Sequence, residues 1–341
     1  EATVRRNGVE VRVPVAAVRL VMGDTDLTPY DGGTVGSGTT PRMVPQLRRA
    51  AAAARETLLE LAAQKWSVDR ASLTVDAGKV TNLKTKEFAG FGQLTKGQKL
   101  AQAISENVPT TPPDQWKIAG QPIPKVDARA LVTGQHRYAS DIKRPGMLYG
   151  RVLRPSAFNA KLVSFDAKGA EALGVTVVRD GEFAGVAAVS EQLAGRAVSA
   201  IQAEWQAPPQ PSAAQLFDYL KKTPGESRGG FGGGQGAFTR GSIEDGLRQA
   251  AHKIERTYTV AYIAHSPLEP RAAVAEWTNG KLTVWTGTQR PFGVRSELAQ
   301  AFGIPEDRIR VIMPDTGSGY GGKHSGEAAV EAARLARAAG K

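Results

Sequence analysis

The chain has 341 residues, with 44 Lys and Arg against 33 Asp and Glu, a formal net charge of +11 and 41% hydrophobic residues. The absence of cysteine excludes disulfides, thiolate nucleophiles, thiolate zinc sites and any cysteine-held iron–sulfur cluster on this stretch of chain. Glycine (38) and proline (20) are too few for a low-complexity chain, no run approaches the roughly 18 apolar residues of a membrane span, and the basic excess is too thinly spread for a dedicated nucleic-acid binder.

The length suggests two to three domains. The chain starts at Glu1 without a signal pattern and stops at Lys341 straight after a helical pattern, so a piece of a longer polypeptide is expected. Residues 11–22, with Val11, Val13, Val15, Val18 and Val21, predict a strand. The Gly-rich segment 31–40 predicts a loop. Leu47, Ala51, Ala54, Leu58 and Leu61, at steps of 4, 3, 4 and 3, then predict one face of a helix, with Pro41 and Pro45 before it or in its first turn. Residues 75–80 predict a short hairpin around Asp76-Ala77-Gly78.

Pro112, Pro113, Pro122 and Pro124 mark a linker over 106–124, and Pro208, Pro209, Pro211 and the glycine run 228–236 mark a second over 208–240. Between them, 125–207 predicts a compact domain with strands at 148–153, 162–165, 175–178 and 186–189 and a helix at 192–202. In 241–341, Asn279-Gly280 predicts a hairpin between 272–277 and 281–286. A helix over Val294, Leu298, Ala301 and Phe302, a strand at 308–313, and a helix over Ala328, Ala332, Leu335 and Ala339 follow.

Residues 13–25 and 304–316 are alike. Five of thirteen positions are identical (Pro14 with Pro305, Arg19 with Arg310, Met22 with Met313, Asp24 with Asp315, Thr25 with Thr316). Each copy leads into a glycine-rich loop and an Ala-rich helix, a design that can offer backbone N–H groups and a helix N-terminus to an anion. In the second loop, Gly317, Gly319 and Gly322 match G-x-G-x-x-G, and 317–323 matches a phosphate-binding loop up to its lysine. His324 then stands where a magnesium-binding Ser or Thr belongs, which argues against an ATPase. A nicotinamide-binding fold needs an acidic residue after a further strand that this stretch does not contain. Pro267 and Pro270 keep His265 and Glu269 off one helical face, and His136, His252 and His324 are scattered in sequence, so ordinary polar roles are favoured over a side-chain metal site.

On these residues the chain resembles the molybdopterin-binding large subunit of the xanthine dehydrogenase/aldehyde oxidase family of molybdenum hydroxylases, of the isoquinoline 1-oxidoreductase beta-subunit type. The carrying stretches are 23–31 with 33–40, Lys125-Val-Asp with Val132-Thr-Gly and Tyr138, 145–148, 265–271, Thr288-Gln289 and 317–323. The resemblance implies an α+β fold: an α/β-hammerhead domain at 125–207, flanked by a segment of the second molybdopterin-binding domain at 1–105 and the N-terminal part of the first at 241–341. It implies that Gln289 approaches the molybdenum end of the pterin. Gly317, Gly319, Tyr320, Gly321 and Gly322 would form the glycine–aromatic loop there. Thr34, Gly36, Ser37, Thr39 and Thr40 would hold the pterin phosphate or dinucleotide, and Glu269, Arg271 and His324 would line or support the substrate side.

The implied reaction hydroxylates an N-heteroaromatic or aldehyde substrate with water as oxygen source and a glutamate base. That base is expected beyond Lys341, and Glu327 does not take its place, so this stretch alone is expected to be inactive. The implied cofactor is molybdenum-molybdopterin, expected in a dinucleotide form. Iron–sulfur clusters would sit on a small [2Fe-2S] partner subunit that passes electrons to a cytochrome or flavin subunit. Two departures stand out: His324 replaces a common Glu, and Gly38 stands where close relatives tend to carry Arg. The full-length protein is expected in the periplasm, by twin-arginine export, or in the cytoplasm. A non-catalytic cofactor-binding or assembly module and a nucleotide-binding dehydrogenase are the alternatives.

Overall fold

A computed structural model describes residues 3–6, 9–12, 20–76, 78–96, 104–105, 107–116, 119–223 and 240–341. The glycine run 228–236 and residues 13–19 of the expected first strand lie outside the described residues. The fold is mixed α and β and divides into two compact units, 1–147 with 265–341, and 148–264.

The first unit opens on an antiparallel hairpin, β1 (Thr3–Arg6) with β2 (Val9–Arg12). Helix α1 (Thr39–Trp66) follows, then β3 (Leu73–Asp76), β4 (Lys79–Asn82) and β5 (Phe88–Gly90), one antiparallel sheet in that order, and α2 (Phe91–Thr95). The expected hairpin is therefore present. Its core is Leu59, Ala62, Leu73, Val80, Ala89 and Leu94, with each buried leucine or valine contributing about 1.5–3 kcal/mol.

Two expectations about α1 fail. Pro45 sits in the second turn rather than before the helix or in its first turn; the ring removes one N–H, and the carbonyl it leaves on Pro41 is in an exposed turn that water reaches. The buried face is Ala52, Leu59 and Ala62, while Leu47 is exposed. The five alanines 50–54 look alike from every side, so they carry no phase, and the sheet selects the face through Leu59.

Residues 109–116 also lie against α1: Arg48 and Arg55 donate to the carbonyls of Thr111 and Pro109, and Arg48 stacks on Trp116. The first unit continues through α3 (Ala128–Val132) to 147.

The second unit contains β6 (Tyr149–Val152), β7 (Lys161–Asp166), α4 (Lys168–Glu171), β8 (Thr176–Asp180), β9 (Phe183–Ala188), α5 (Glu191–Ser199), β10 (Gln202–Gln206), α6 (Leu216–Lys222) and α7 (Ile243–Gln249). β9, buried along its whole length, is the centre of an antiparallel β6-β9-β8 sheet, and β7 pairs with β10. Ala170, Val186, Ala188, Ala194, Ala197 and Ile201 form its core. The expected helix to 202 ends at Ser199, because Gln202–Gln206 alternates exposed and half-buried residues at the period of a strand.

The C-terminal part of the first unit holds β11 (Ala273–Thr278), β12 (Lys281–Thr286), α8 (Pro291–Phe302), β13 (Ile309–Ile312) and α9 (Glu327–Ala339). Asn279 and Gly280 both take positive φ in the β11–β12 turn, as their hairpin signal requires. β12 and β13 are parallel, and α8 is the crossover between them. Leu282, Val284, Val294, Leu298, Ile309, Val311, Ala329 and Ala333 close the core, and Trp277 donates its indole N–H to the Ala333 carbonyl at 3.0 Å.

The two sequence repeats meet. Asp24 bridges antiparallel to Ile312, Thr25 donates its N–H to the Val311 carbonyl at 3.0 Å, and Met313 donates to the Gly23 carbonyl at 2.7 Å. Arg310 grips Asp24 with two bonds of 3.0 and 2.6 Å. Burial works against the charge on Asp24, but the Arg310 guanidinium and the N–H groups of Asp26 and Leu27 outweigh it and hold the carboxyl below its ordinary value of 3.8.

A carboxyl with a lowered folded value contributes stability above its unfolded value and loses it as pH falls through the folded one. Asp24→Asn should therefore cost about 2 kcal/mol at pH 7, with the difference from wild type shrinking as pH falls below 4. Urea unfolding at both pH values measures this. An equal difference at the two would remove the charge from the explanation.

Candidate functional site

Two loops leave the carboxyl ends of parallel neighbours: 287–290 after β12 and 313–326 after β13. Open α/β sheets place ligand crevices at such ends. Gln289 sits in the first of these loops. Its N–H donates to the Lys323 carbonyl at 2.9 Å, and the Thr288 hydroxyl reaches the same carbonyl at 3.1 Å. The Gln289 side-chain oxygen accepts from the N–H of Gly321 at 2.9 Å and of Lys323 at 3.3 Å. Its side-chain nitrogen donates to the Thr34 carbonyl at 3.1 Å and lies 3.3 Å from His324 Nε2.

Thr34 belongs to the third loop, 31–38, before α1. Its N–H donates to the Gln289 carbonyl at 2.9 Å, and its hydroxyl lies 2.6 Å from that of Thr39. Asp31 accepts from the Gly33 N–H at 2.9 Å. Gly33, at φ +96°, needs its missing side chain: a Cβ there would lie 2.5 Å from the Gln289 carbonyl oxygen. Gly36 and Ser37 follow at φ +58° and +55°, and α1 begins at Thr39 with no side-chain cap and no acidic residue in its first turn. That terminus is electrostatically open to an anion.

The second glycine loop is tied from behind. Glu269 Oε2 accepts from Lys323 Nζ at 2.6 Å and from the Gly317 N–H at 2.8 Å, and Lys323 is 1% exposed. Arg271 donates to the Gly322 carbonyl at 3.1 and 2.7 Å and pairs with Glu327 at 2.9 Å. Gly319 lies against Gln289, since a Cβ there would be 2.6 Å from the amide oxygen, and one on Gly322 would be 2.9 Å from His265 Cβ. Tyr320, at φ +55°, is 69% exposed.

The sequence-predicted residues thus converge around Gln289: Thr34 on one side, Gly319, Gly321 and His324 on the other, with Thr39 joined through Thr34. Glu269, Gly317, Gly322 and Arg271 form the layer that holds the loop. Ser37, Thr40 and Tyr320 are exposed on its rim. His265 and His324, scattered in sequence, come close enough in the fold for His265 to act on the charge of His324.

Lys323 resembles a phosphate-loop lysine in sequence but is buried against a carboxylate, so its ammonium is not presented to a phosphate. His136 lies between Asp127, 3.7 Å from Nδ1, and Asp315, 3.1 Å from Nε2. The three ligand atoms fall within 4.8 Å of one another. Each ring nitrogen faces a different carboxylate, but the buried Nε2 makes no hydrogen bond.

Two domain models match the sequence, each described as a molybdopterin cofactor-binding domain, over 9–132 and 230–341. The chain is 29% identical over 345 residues to a nicotinate dehydrogenase subunit of Pseudomonas putida, covering 96% of this chain and 28% of that protein. It is 27% identical over 349 residues to the isoquinoline 1-oxidoreductase beta subunit of Brevundimonas diminuta, covering 90% and 45%. Among solved structures it resembles quinoline 2-oxidoreductase from Pseudomonas putida 86, with a TM-score of 0.51 and 27% identity over 63% of this chain and 33% of that one. The chain spans less than half the length of each.

Gly33→Ala and Gly319→Ala force a methyl into Gln289 and should each cost about 2–4 kcal/mol, whereas Gly36→Ala, with open space around it, should cost only about 1 kcal/mol. Urea midpoints test that order. Burial first, then Arg290 and His265, hold His324 below its ordinary 6.5. The native state thus favours the neutral ring, and this contribution is complete above pH 6.5 and lost as pH falls through the folded value. An NMR titration of the His324 ring should give a midpoint below 6.5; one above it would contradict the burial argument.

Proposed function

Because the chain carries molybdopterin cofactor-binding domains of the xanthine dehydrogenase/aldehyde oxidase family, we propose that it is the cofactor-holding part of a molybdenum hydroxylase large subunit. The full enzyme would act on an N-heteroaromatic or aldehyde substrate. In this reading 1–105 and 241–341 are parts of the two cofactor-binding domains, 125–207 is a hammerhead domain, and 106–124 and 208–240 are connections. The observation that carries the reading is the joining of two glycine-rich loops through the Gln289 amide.

The residues fit such a group. Glycine loops let backbone N–H groups approach a bulky anionic pterin closely. Among the described residues, the buried Ser318 hydroxyl and one Glu269 oxygen have no hydrogen-bond partner, so polar capacity remains beside the 317–322 loop. A dithiolene-held metal needs no protein cysteine, in keeping with the sequence.

When bound, the cofactor supplies two-electron oxidation of a C–H bond with water as oxygen source. The chain's own residues bind and orient. Thr34, Gly36, Ser37, Thr39 and Thr40 offer hydroxyls and N–H groups to the phosphate or dinucleotide end. Gln289 and 319–321 border the metal end. Of the contacts made by the Gln289 amide, the long one to His324 is the one a cofactor acceptor can replace. His324, held neutral, stands on the substrate side, and Glu269 and Arg271 support it from behind. In this reading the iron–sulfur clusters would sit on a separate small subunit, which hands electrons on to a cytochrome or flavin subunit; this stretch of chain, without cysteine, offers them no thiolate. Among the described residues no helix is long and apolar enough to cross a membrane.

The test is metal and pterin analysis of the full-length protein purified with its partners, followed by turnover of nicotinate, isoquinoline and benzaldehyde with an artificial electron acceptor. Molybdenum near one per chain and oxidation of at least one compound are expected. Bound nicotinamide dinucleotide without molybdenum would overturn the reading in favour of a dehydrogenase. Bound molybdopterin without turnover of any compound would favour a non-catalytic carrier. In the same protein, Gln289→Ala should lower molybdenum per chain at least several-fold; an unchanged content would remove Gln289 from the cofactor site.

A further inference from the structure

We infer that the buried Lys323–Glu269 pair is a positioning device that sets the shape of the 317–323 loop against the cofactor; the inference rests on the proposed function above. One carboxylate oxygen holds both ends of the loop. Glu269 Oε2 accepts from the Gly317 N–H at 2.8 Å, at the start, and from Lys323 Nζ at 2.6 Å, at the finish. The backbone repeats the first tie, because the Glu269 N–H donates to the Gly317 carbonyl at 3.2 Å. Gly317 permits this approach: a Cβ there would lie 2.7 Å from that of Glu269. At the far end, the Lys323 N–H and carbonyl are both bonded to Gln289. The two residues therefore close a ring of contacts around the loop, and neither needs to touch a ligand to do so.

Both side chains are withdrawn from water, Lys323 to 1% and Glu269 to 9% exposure. Burying an ion pair is a poor route to stability, because desolvation offsets the attraction and apolar residues of like volume often do better. A sequence that retains such a pair is therefore better explained by geometry. The loop itself supplies the reason. Ser318 at φ +80° and Tyr320 at φ +55° are non-glycine residues in the left-handed region, with Gly321 at +97° beside them. Such a backbone persists only where its surroundings over-determine it. The shared oxygen of Glu269 and the amide of Gln289 fix the loop from opposite sides, through the N–H groups of Gly317 and Gly321, so its backbone is set before any cofactor arrives.

The full-length enzyme with its partner subunits is prepared as wild type, Glu269→Gln, Lys323→Met and the double variant Glu269→Leu/Lys323→Met. Molybdenum and pterin per chain, the Mo(V) EPR signal after dithionite reduction, urea midpoint, and amide exchange of 317–323 are measured. Glu269→Gln, which keeps an acceptor for Gly317, is the mildest change. The single variants should speed exchange of the loop about tenfold or more and shift the Mo(V) signal or lower molybdenum content.

The double variant discriminates. It has no unpaired buried charge, so its urea midpoint should recover, yet the Gly317 N–H still lacks its acceptor and the EPR shift or metal loss should remain. A double variant with both wild-type midpoint and wild-type EPR signal would make the pair merely structural and overturn the inference. So would single variants with full molybdenum, an unchanged signal and unchanged exchange. Wild-type enzyme without molybdenum or pterin would instead sink the proposed function.

Discussion

The amide of Gln289 holds three chain segments at once. A side-chain amide has two donor hydrogens and one acceptor oxygen with two lone pairs. Here they are distributed to the Thr34 carbonyl, His324, and the N–H groups of Gly321 and Lys323. No aliphatic residue could do this, and glutamate could not donate. The constraint then spreads outward. Gly33 and Gly319 must be glycine because the Gln289 carbonyl and amide oxygens occupy the space of their side chains. The Thr288 hydroxyl donates to the Lys323 carbonyl and accepts from the Arg290 N–H, which ties the Gln289 loop to the glycine loop a second time.

This arrangement depends on a rigid support. The parallel β12–α8–β13 unit delivers Gln289 and the 313–326 loop to the same sheet end, and its core of Leu282, Val284, Leu298, Ile309 and Val311 is fully buried. The loop before α1 comes from elsewhere in the sequence, and the Asp24–Arg310 pair with the Thr25–Val311 bonds docks it on the edge of β13. The repeat therefore has a structural consequence: its two copies are partners in one contact, and the glycine loops that follow them are brought face to face around Gln289.

Much of this was legible in the sequence where the signal was local. The Asn279-Gly280 turn, the 75–80 hairpin and the two C-terminal helices follow from turn chemistry and apolar periodicity alone. The buried face of α1 did not, because the alanine run is symmetric about the helix axis. Nor did strand β10, whose alternation of Gln202, Glu204 and Gln206 with half-buried Ala203 and Trp205 is too short to stand out beside α5. In the site, the glycine clusters were visible as motifs, and Gln289 only through the family resemblance. Lys323 was misleading, because a lysine at the end of a glycine loop has the sequence of a phosphate ligand; only the distant Glu269 shows that its charge is turned inward. The closeness of His265 to His324, and the Asp24–Arg310 contact across 286 positions, are likewise products of tertiary packing that no local pattern encodes.

The central claim is that the two glycine-rich loops joined by Gln289 form one cofactor cradle. Its most direct test is anomalous X-ray diffraction at the molybdenum absorption edge from crystals of the full-length enzyme with its partners. The account predicts a single molybdenum peak beside Gln289 and the 319–321 backbone, with pterin density running toward residues 34–40. A molybdenum peak away from these residues, or pterin density that contacts only one of the two loops, would contradict it.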